Sequence, residues 1–126
     1  MKKILIVIAD YYEDISSSLL KSAKYKLNNF SIKVIKVPGV FEIPVTISKH
    51  IKKYDAFIAL GCVIKGETPH FDFISSASTD AIMNLSVKSK KPIGNGIITC
   101  LNMKQAKARG KKGKEAAQAV ISVLSQ

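Results

Sequence analysis

The sequence predicts an α/β fold: a three-layer sandwich in which a four-stranded parallel sheet is flanked by helices. Three observations carry this prediction. The runs KILIVIA at 3–9 and AFIALGCV at 56–63 are apolar without alternation, as strands buried on both faces require. The segments between such runs carry apolar residues at helical spacing. The two kinds of segment alternate along the chain, which implies right-handed crossovers and a sheet covered on both sides.

The elements follow in order. Lys3 to Ala9 is the first strand. A helix follows from about Ile15 to Leu27, with Asp14 or Ser16 as its cap and Ile15, Leu19, Leu20, Ala23 and Leu27 on one face. Ser31 to Val37, rich in β-branched residues, is the second strand, and Pro38-Gly39 turns the chain out of it. Pro44 suits the first turn of a helix reaching about Lys52. Ala56 to Val63 is the third strand, followed by the loop IKGETPH, in which Gly66 allows a backbone geometry that other residues resist. A long helix runs from about Phe71 to Lys88. Pro92 to Thr99 is the fourth strand, and its two glycines let a neighbour come close to its backbone. A helical turn at 104–109, a basic glycine-punctuated kink at 110–114 and a helix from Glu115 to Leu124 complete the chain. With 126 residues and no linker, repeat or low-complexity tract, residues 1–126 read as one domain with flavodoxin-like topology.

Composition narrows the function. The formal net charge is +11, but 19 of the 20 basic residues are lysines spread along the chain. Lysine is a hydrated point charge, whereas arginine offers a planar fork for phosphate oxygens, so the lone Arg109 is the more informative cation. No patch interleaves arginine with aromatics, so no nucleic-acid partner is expected. Two cysteines are too few for a disulfide framework and lack metal-ligand spacing, and His50 and His70 form no HExxH pattern. No metal is expected. The apolar stretch at 4–9 runs straight into Asp10, Glu13 and Asp14, unlike a signal peptide, and no run is long enough to span a bilayer. A cytoplasmic protein without membrane contact is the expectation.

In parallel α/β sheets ligands bind beyond the carboxyl ends of the strands. That rule selects 10–13, 37–43, 61–70 and 95–102. Tyr11 and Tyr12 offer a ring for stacking, or a cover for the sheet edge. In VPGVFEIP a tight turn meets a helix start, where backbone N–H groups can hold hydroxyls. Glu42 either accepts hydrogen bonds from a ligand there or steadies the helix dipole. In GCVIKGETPHFDF, His70 stands at a helix entrance and can exchange protons near neutral pH, while Asp72 either orients it or caps the helix. Arg109 can neutralise a phosphate, and GKKGK lacks the spacing of a Walker loop.

VPGVFEIP at 37–44, ALGCVIKGETPHFDF at 59–73 and IGNGIIT at 93–99 occur in the same order as in the 6,7-dimethyl-8-ribityllumazine synthases. The chain resembles this family over nearly its whole length. The resemblance implies the penultimate step of riboflavin biosynthesis. There 5-amino-6-(D-ribitylamino)uracil condenses with 3,4-dihydroxy-2-butanone 4-phosphate to give the lumazine, phosphate and water, with no cofactor. It also implies roles. Tyr11 falls where the family stacks an aromatic on the pyrimidine, and Val40, Phe41 and Glu42 match the loop that holds the ribityl chain. Cys62, Val63 and Ile64 match the stretch lining the uracil, and Glu67 and Thr68 the loop that meets the butanone phosphate. His70 matches the proton-transfer histidine, Arg109 the phosphate-binding arginine contributed by an adjacent subunit, and Lys112 a lysine of that site. Asn95 stands where many relatives carry phenylalanine against the pyrimidine, Lys65 replaces an arginine, and the 110–113 kink is shorter than usual. The family assembles as pentamers or as larger shells of pentamers, so a homo-oligomer is implied, and most of the family's segment before the first strand is missing.

Three other readings compete. One is a family member that binds the lumazine or a flavin without making it, which Asn95 keeps open. A phosphate-receiver domain would need an aspartate at the end of the third strand, and Asp55 precedes it. A basic nucleic-acid module rests on charge alone.

Overall fold

The computed structural model describes residues 1–66 and 70–126, the side chain of His70 excepted. Its elements are β1 (Lys3–Ala9), α1 (Glu13–Tyr25), β2 (Ser31–Val37), a 3₁₀ turn (Val40–Glu42), α2 (Ile43–Lys49), β3 (Ala56–Ile64), α3 (His70–Ser89), β4 (Ile93–Cys100), α4 (Met103–Ala108) and α5 (Lys112–Leu124). The four strands form one parallel sheet in the order β2-β1-β3-β4.

Alternation along β1 divides the core. Ile4, Ile6 and Ile8 pack with Leu19 and Ala23 of α1 and Ala117 and Val120 of α5. Leu5, Val7 and Ala9 pack with Ile43 and Ile47 of α2 and Ile82 of α3. Both faces of β1 and β3 are covered, which is why those strands read as unbroken apolar runs. Edge strand β2 alternates exposed and half-buried residues instead.

Several boundaries differ from the sequence reading. Helix α1 starts at Glu13, and neither Asp14 nor Ser16 caps it. Ser16 is buried and donates its hydroxyl to the Ala9 carbonyl at 2.6 Å, tying the helix to the end of β1. The turn after α1 begins at Lys26, yet Leu27 remains in the core. The kink at 110–114 is largely helical: α5 begins at Lys112 and takes Gly113 into its first turn. Close packing explains it, because a Cβ on Gly113 would strike the Leu19 carbonyl and the Ser22 hydroxyl of α1. The glycines of β4 serve the same end. A Cβ on Gly94 would run into the Ala116 carbonyl, so this strand holds α5 against its backbone. No glycine has a positive φ among the described residues, so Gly66 is not in the left-handed region.

The chain leaves β1 toward α1 on one face and leaves β3 toward α3 on the other. The connections leaving these neighbouring strands therefore diverge, and a crevice opens between them, as expected at a topological switch point.

Candidate active site

That crevice has a volume of about 600 Å³. Its walls are Tyr11 and Tyr12 after β1, Val40, Phe41 and Glu42 of the 3₁₀ turn, and Cys62, Val63 and Ile64 ending β3. Eight of the residues singled out in the sequence thus share one cleft. Tyr11 is 76% and Phe41 68% exposed, so both rings offer free faces. Tyr12 leans into the core beside α1, its ring meeting Tyr11 edge-on at 4.9 Å between centroids. Burial pushes the Tyr12 phenol up, with Tyr11 and Cys62 adding to the effect. The tyrosine free to stack on a flat ligand is therefore Tyr11.

Glu42 shows how local structure sets a site. Gly39 enters the 3₁₀ turn extended, at φ −147° and ψ 171°, and its carbonyl accepts from the Glu42 N–H at 3.1 Å. The Glu42 side chain folds back over Gly39, where a Cβ would sit 3.2 Å from its carboxylate oxygen. Gly39 leaves that oxygen room at the mouth of the cleft.

Cys62 is 7% exposed. Burial and the neighbouring Cys100 thiol push it up from the usual 9.0 to about 12. At neutral pH it is a protonated thiol and a poor nucleophile. The folded state holds this proton more tightly than the unfolded chain. Its contribution to stability is therefore complete below pH 9 and is lost as the pH rises toward 12. Iodoacetamide at pH 8 is expected to label Cys62 at least about tenfold more slowly in the native protein than in urea, as peptide mapping would measure.

The remaining selected residues lie elsewhere. Asn95, Arg109 and Lys112 line a second cleft of about 770 Å³ against edge strand β4, with Thr79, Thr99 and Glu115. Asn102 caps α4 by accepting from the Gln105 N–H at 2.9 Å, and Arg109 ends that helix. Its Nη1 donates to the Thr99 carbonyl at 3.0 Å and approaches Cys100 Sγ at 3.8 Å. Among the described residues Nε and Nη2 meet no hydrogen-bond partner, and both can serve an incoming anion. Asn95 Oδ1 accepts from the Ile97 N–H at 3.0 Å, so its amide is folded along its own strand.

Glu67 and Thr68 lie outside the described residues, as does the side chain of His70. His70 opens α3 in sequence, and Asp72 lies exposed in the helix's first turn, where an acid favours the dipole. Sequence reasoning missed Phe73 and Ile74 in the first cleft and Glu115 in the second. Phe73 had a signal, as an aromatic in the first turn of a helix that leaves the sheet's carboxyl edge. Glu115 had none while 110–114 read as a kink. Once α5 begins at Lys112, Lys112 and Glu115 stand three residues apart on one helix face.

A family model described as 6,7-dimethyl-8-ribityllumazine synthase matches residues 1–126. Proteins bearing that name are similar throughout. One from Rhodopseudomonas palustris is 44% identical over 134 residues, covering 95% of this chain and 82% of its own. One from Methylorubrum extorquens is 42% identical, covering 98% and 79%. One from Agrobacterium fabrum is 42% identical, covering 96% and 91%.

Proposed function

The chain belongs to the 6,7-dimethyl-8-ribityllumazine synthase family, and from that membership we propose where on this molecule the reaction runs. The enzyme condenses 5-amino-6-(D-ribitylamino)uracil with 3,4-dihydroxy-2-butanone 4-phosphate, giving 6,7-dimethyl-8-ribityllumazine, phosphate and water. The uracil lies in the 600 Å³ cleft, its ring against Tyr11 and along Cys62, Val63 and Ile64. Its ribityl hydroxyls meet Glu42 and the backbone of Val40 and Phe41. The butanone phosphate is held by Arg109 and Lys112, and by Glu67 and Thr68 on the strength of the sequence motif.

The uracil's amine attacks the ketone carbonyl, and loss of water gives a Schiff base. Elimination breaks the C–O bond to phosphate, and the second amine then closes the ring with loss of water. Each step transfers a proton, and His70 carries it. Arg109 accepts the charge that gathers on the departing phosphate. Holding two substrates together supplies most of the acceleration, up to about 7–11 kcal/mol.

One observation carries this reading: the two clefts hold complementary halves of the chemistry and, among the described residues, share no lining residue. A flat-ring half and an anion half on different parts of one chain suit a site closed by two copies. We place the enzyme as a homo-oligomer, a pentamer or an assembly of pentamers. Both cysteines are free thiols, which suits a reducing compartment, and we place it in the cytoplasm. Among the described residues, no helix is long and apolar enough to cross a membrane.

The test follows product fluorescence. The wild type is expected to exceed the uncatalysed mixture, and His70→Ala to lose about 100-fold in kcat while the KM for the uracil stays within about twofold. A wild-type rate equal to the blank, or a solution mass of one chain, overturns the reading.

A further inference from the structure

The surplus of positive charge is not spent on the Arg109 cleft. A separate groove of about 480 Å³ runs between α1 and the α4–α5 corner. Four lysines from four segments line it: Lys21 on α1, Lys107 on α4, Lys111 in the turn and Lys114 on α5. Among the described residues no acidic side chain lines it. Like charges gathered around one concave surface raise its potential and favour a multiply charged anion over any neutral occupant.

The groove is built rather than incidental. Ser22 Oγ donates to the Gly110 carbonyl at 2.7 Å and accepts from the Lys114 N–H at 3.0 Å, pinning α5 to α1. Gly110 and Gly113 let the two segments meet, since a Cβ on either would strike a serine hydroxyl of α1. The lysines therefore stem from a fixed backbone frame. At one end lies Tyr25, 72% exposed, with Lys114 Nζ 5.7 Å from its ring centroid. An exposed aromatic in a groove lined by four lysines is matched to a flat group joined to phosphates. The volume falls within the range of about 300–1,000 Å³ typical of small-ligand sites.

We propose that this groove is a second binding site, for a nucleotide-type anion whose phosphates lie on Lys21, Lys107, Lys111 and Lys114 and whose ring lies against Tyr25. Among the described residues it shares no lining residue with the Tyr11 cleft, and only Ala108 and Lys111 with the Arg109 cleft.

Calorimetric titration of the assembled protein with ADP tests this, with ribose 5-phosphate, adenosine and a poly(U) oligomer as further arms. ADP is expected to bind saturably, more tightly than ribose 5-phosphate or adenosine, and more weakly as salt rises. The double variant Lys21→Gln/Lys114→Gln is expected to weaken ADP about tenfold or more, and Tyr25→Ala to bring ADP close to ribose 5-phosphate. Lumazine formation by both variants, at wild-type rate, shows that they are folded. Three results overturn the proposal: no saturable ADP binding; ADP binding unchanged in the double variant but lost in Arg109→Ala, which places it in the reaction cleft; or poly(U) binding far more tightly than ADP, which makes the groove a nucleic-acid track.

Discussion

Arg109→Ala is expected to lower kcat/KM for the butanone phosphate about 10²–10³-fold, which corresponds to about 2.7–4 kcal/mol of lost transition-state stabilisation. The orientation of the guanidinium sets the size. Its Nη1 is fixed by the Thr99 carbonyl at 3.0 Å, and among the described residues nothing engages Nε and Nη2, the pair that forms a parallel fork on two phosphate oxygens. A fork held in place loses little freedom when the anion arrives, and it acts most strongly when the phosphate leaves with its full charge. Lysine keeps the charge but neither the fork nor the Thr99 tether. Arg109→Lys is therefore expected to raise the KM for the butanone phosphate about tenfold while the KM for the uracil moves by no more than about twofold. Steady-state kinetics with each substrate varied in turn separates the two. Equal losses on both substrates would place Arg109 outside the phosphate site, and retention of wild-type kinetics by the alanine variant would remove it from the reaction.

The first cleft was legible because it is made of loops that follow strands. Tyr11 sits two residues beyond β1 and Cys62 lies in the last three residues of β3, so finding the strands located both. Their period-free apolar runs come from burial on both faces, a property that composition alone records. The division of the site into two clefts was not legible from periodicity. Asn95, Arg109 and Lys112 come together only because β4 is an edge strand and α4 returns along it, and strand order is a tertiary fact. The start of α5 was hidden for a different reason. Glycine is a poor helix former, so GKKGK reads as a break. The close contact with Leu19 outweighs that preference, and a residue selected by a neighbouring helix looks in the sequence like one selected for a turn. The lysine groove was invisible for want of the same contact, since Lys21 and Lys114 lie far apart in the chain and meet only where α5 rests on α1.

That contact is also where a single methyl group should cost most. A Cβ on Gly113 would meet the backbone of Leu19, with its carbonyl carbon at 2.9 Å and the Ser22 hydroxyl at 2.6 Å. The serine can turn, but the Leu19 carbonyl belongs to α1 and cannot withdraw without it. Helix α5 must lift instead, and it carries Ala116, Ala117 and Val120, all buried at 3% exposure or less. Alanine recovers up to about 1 kcal/mol of helix propensity over glycine, against an overpacking cost of about 3 kcal/mol or more. Gly113→Ala is therefore expected to destabilise the fold by about 2–3 kcal/mol and to lower Tm by roughly 10 °C. Lys112 and Glu115 ride on the same helix, so the KM for the butanone phosphate should rise as well. Gly66→Ala is the matched comparison: no described atom lies within 4 Å of its added Cβ, and stability should stay within about 0.5 kcal/mol. Urea melts of both variants at one protein concentration decide it. If Gly113→Ala unfolds at the wild-type midpoint, α5 is not seated on α1 as described, and the frame that holds both the second cleft and the lysine groove is lost with it.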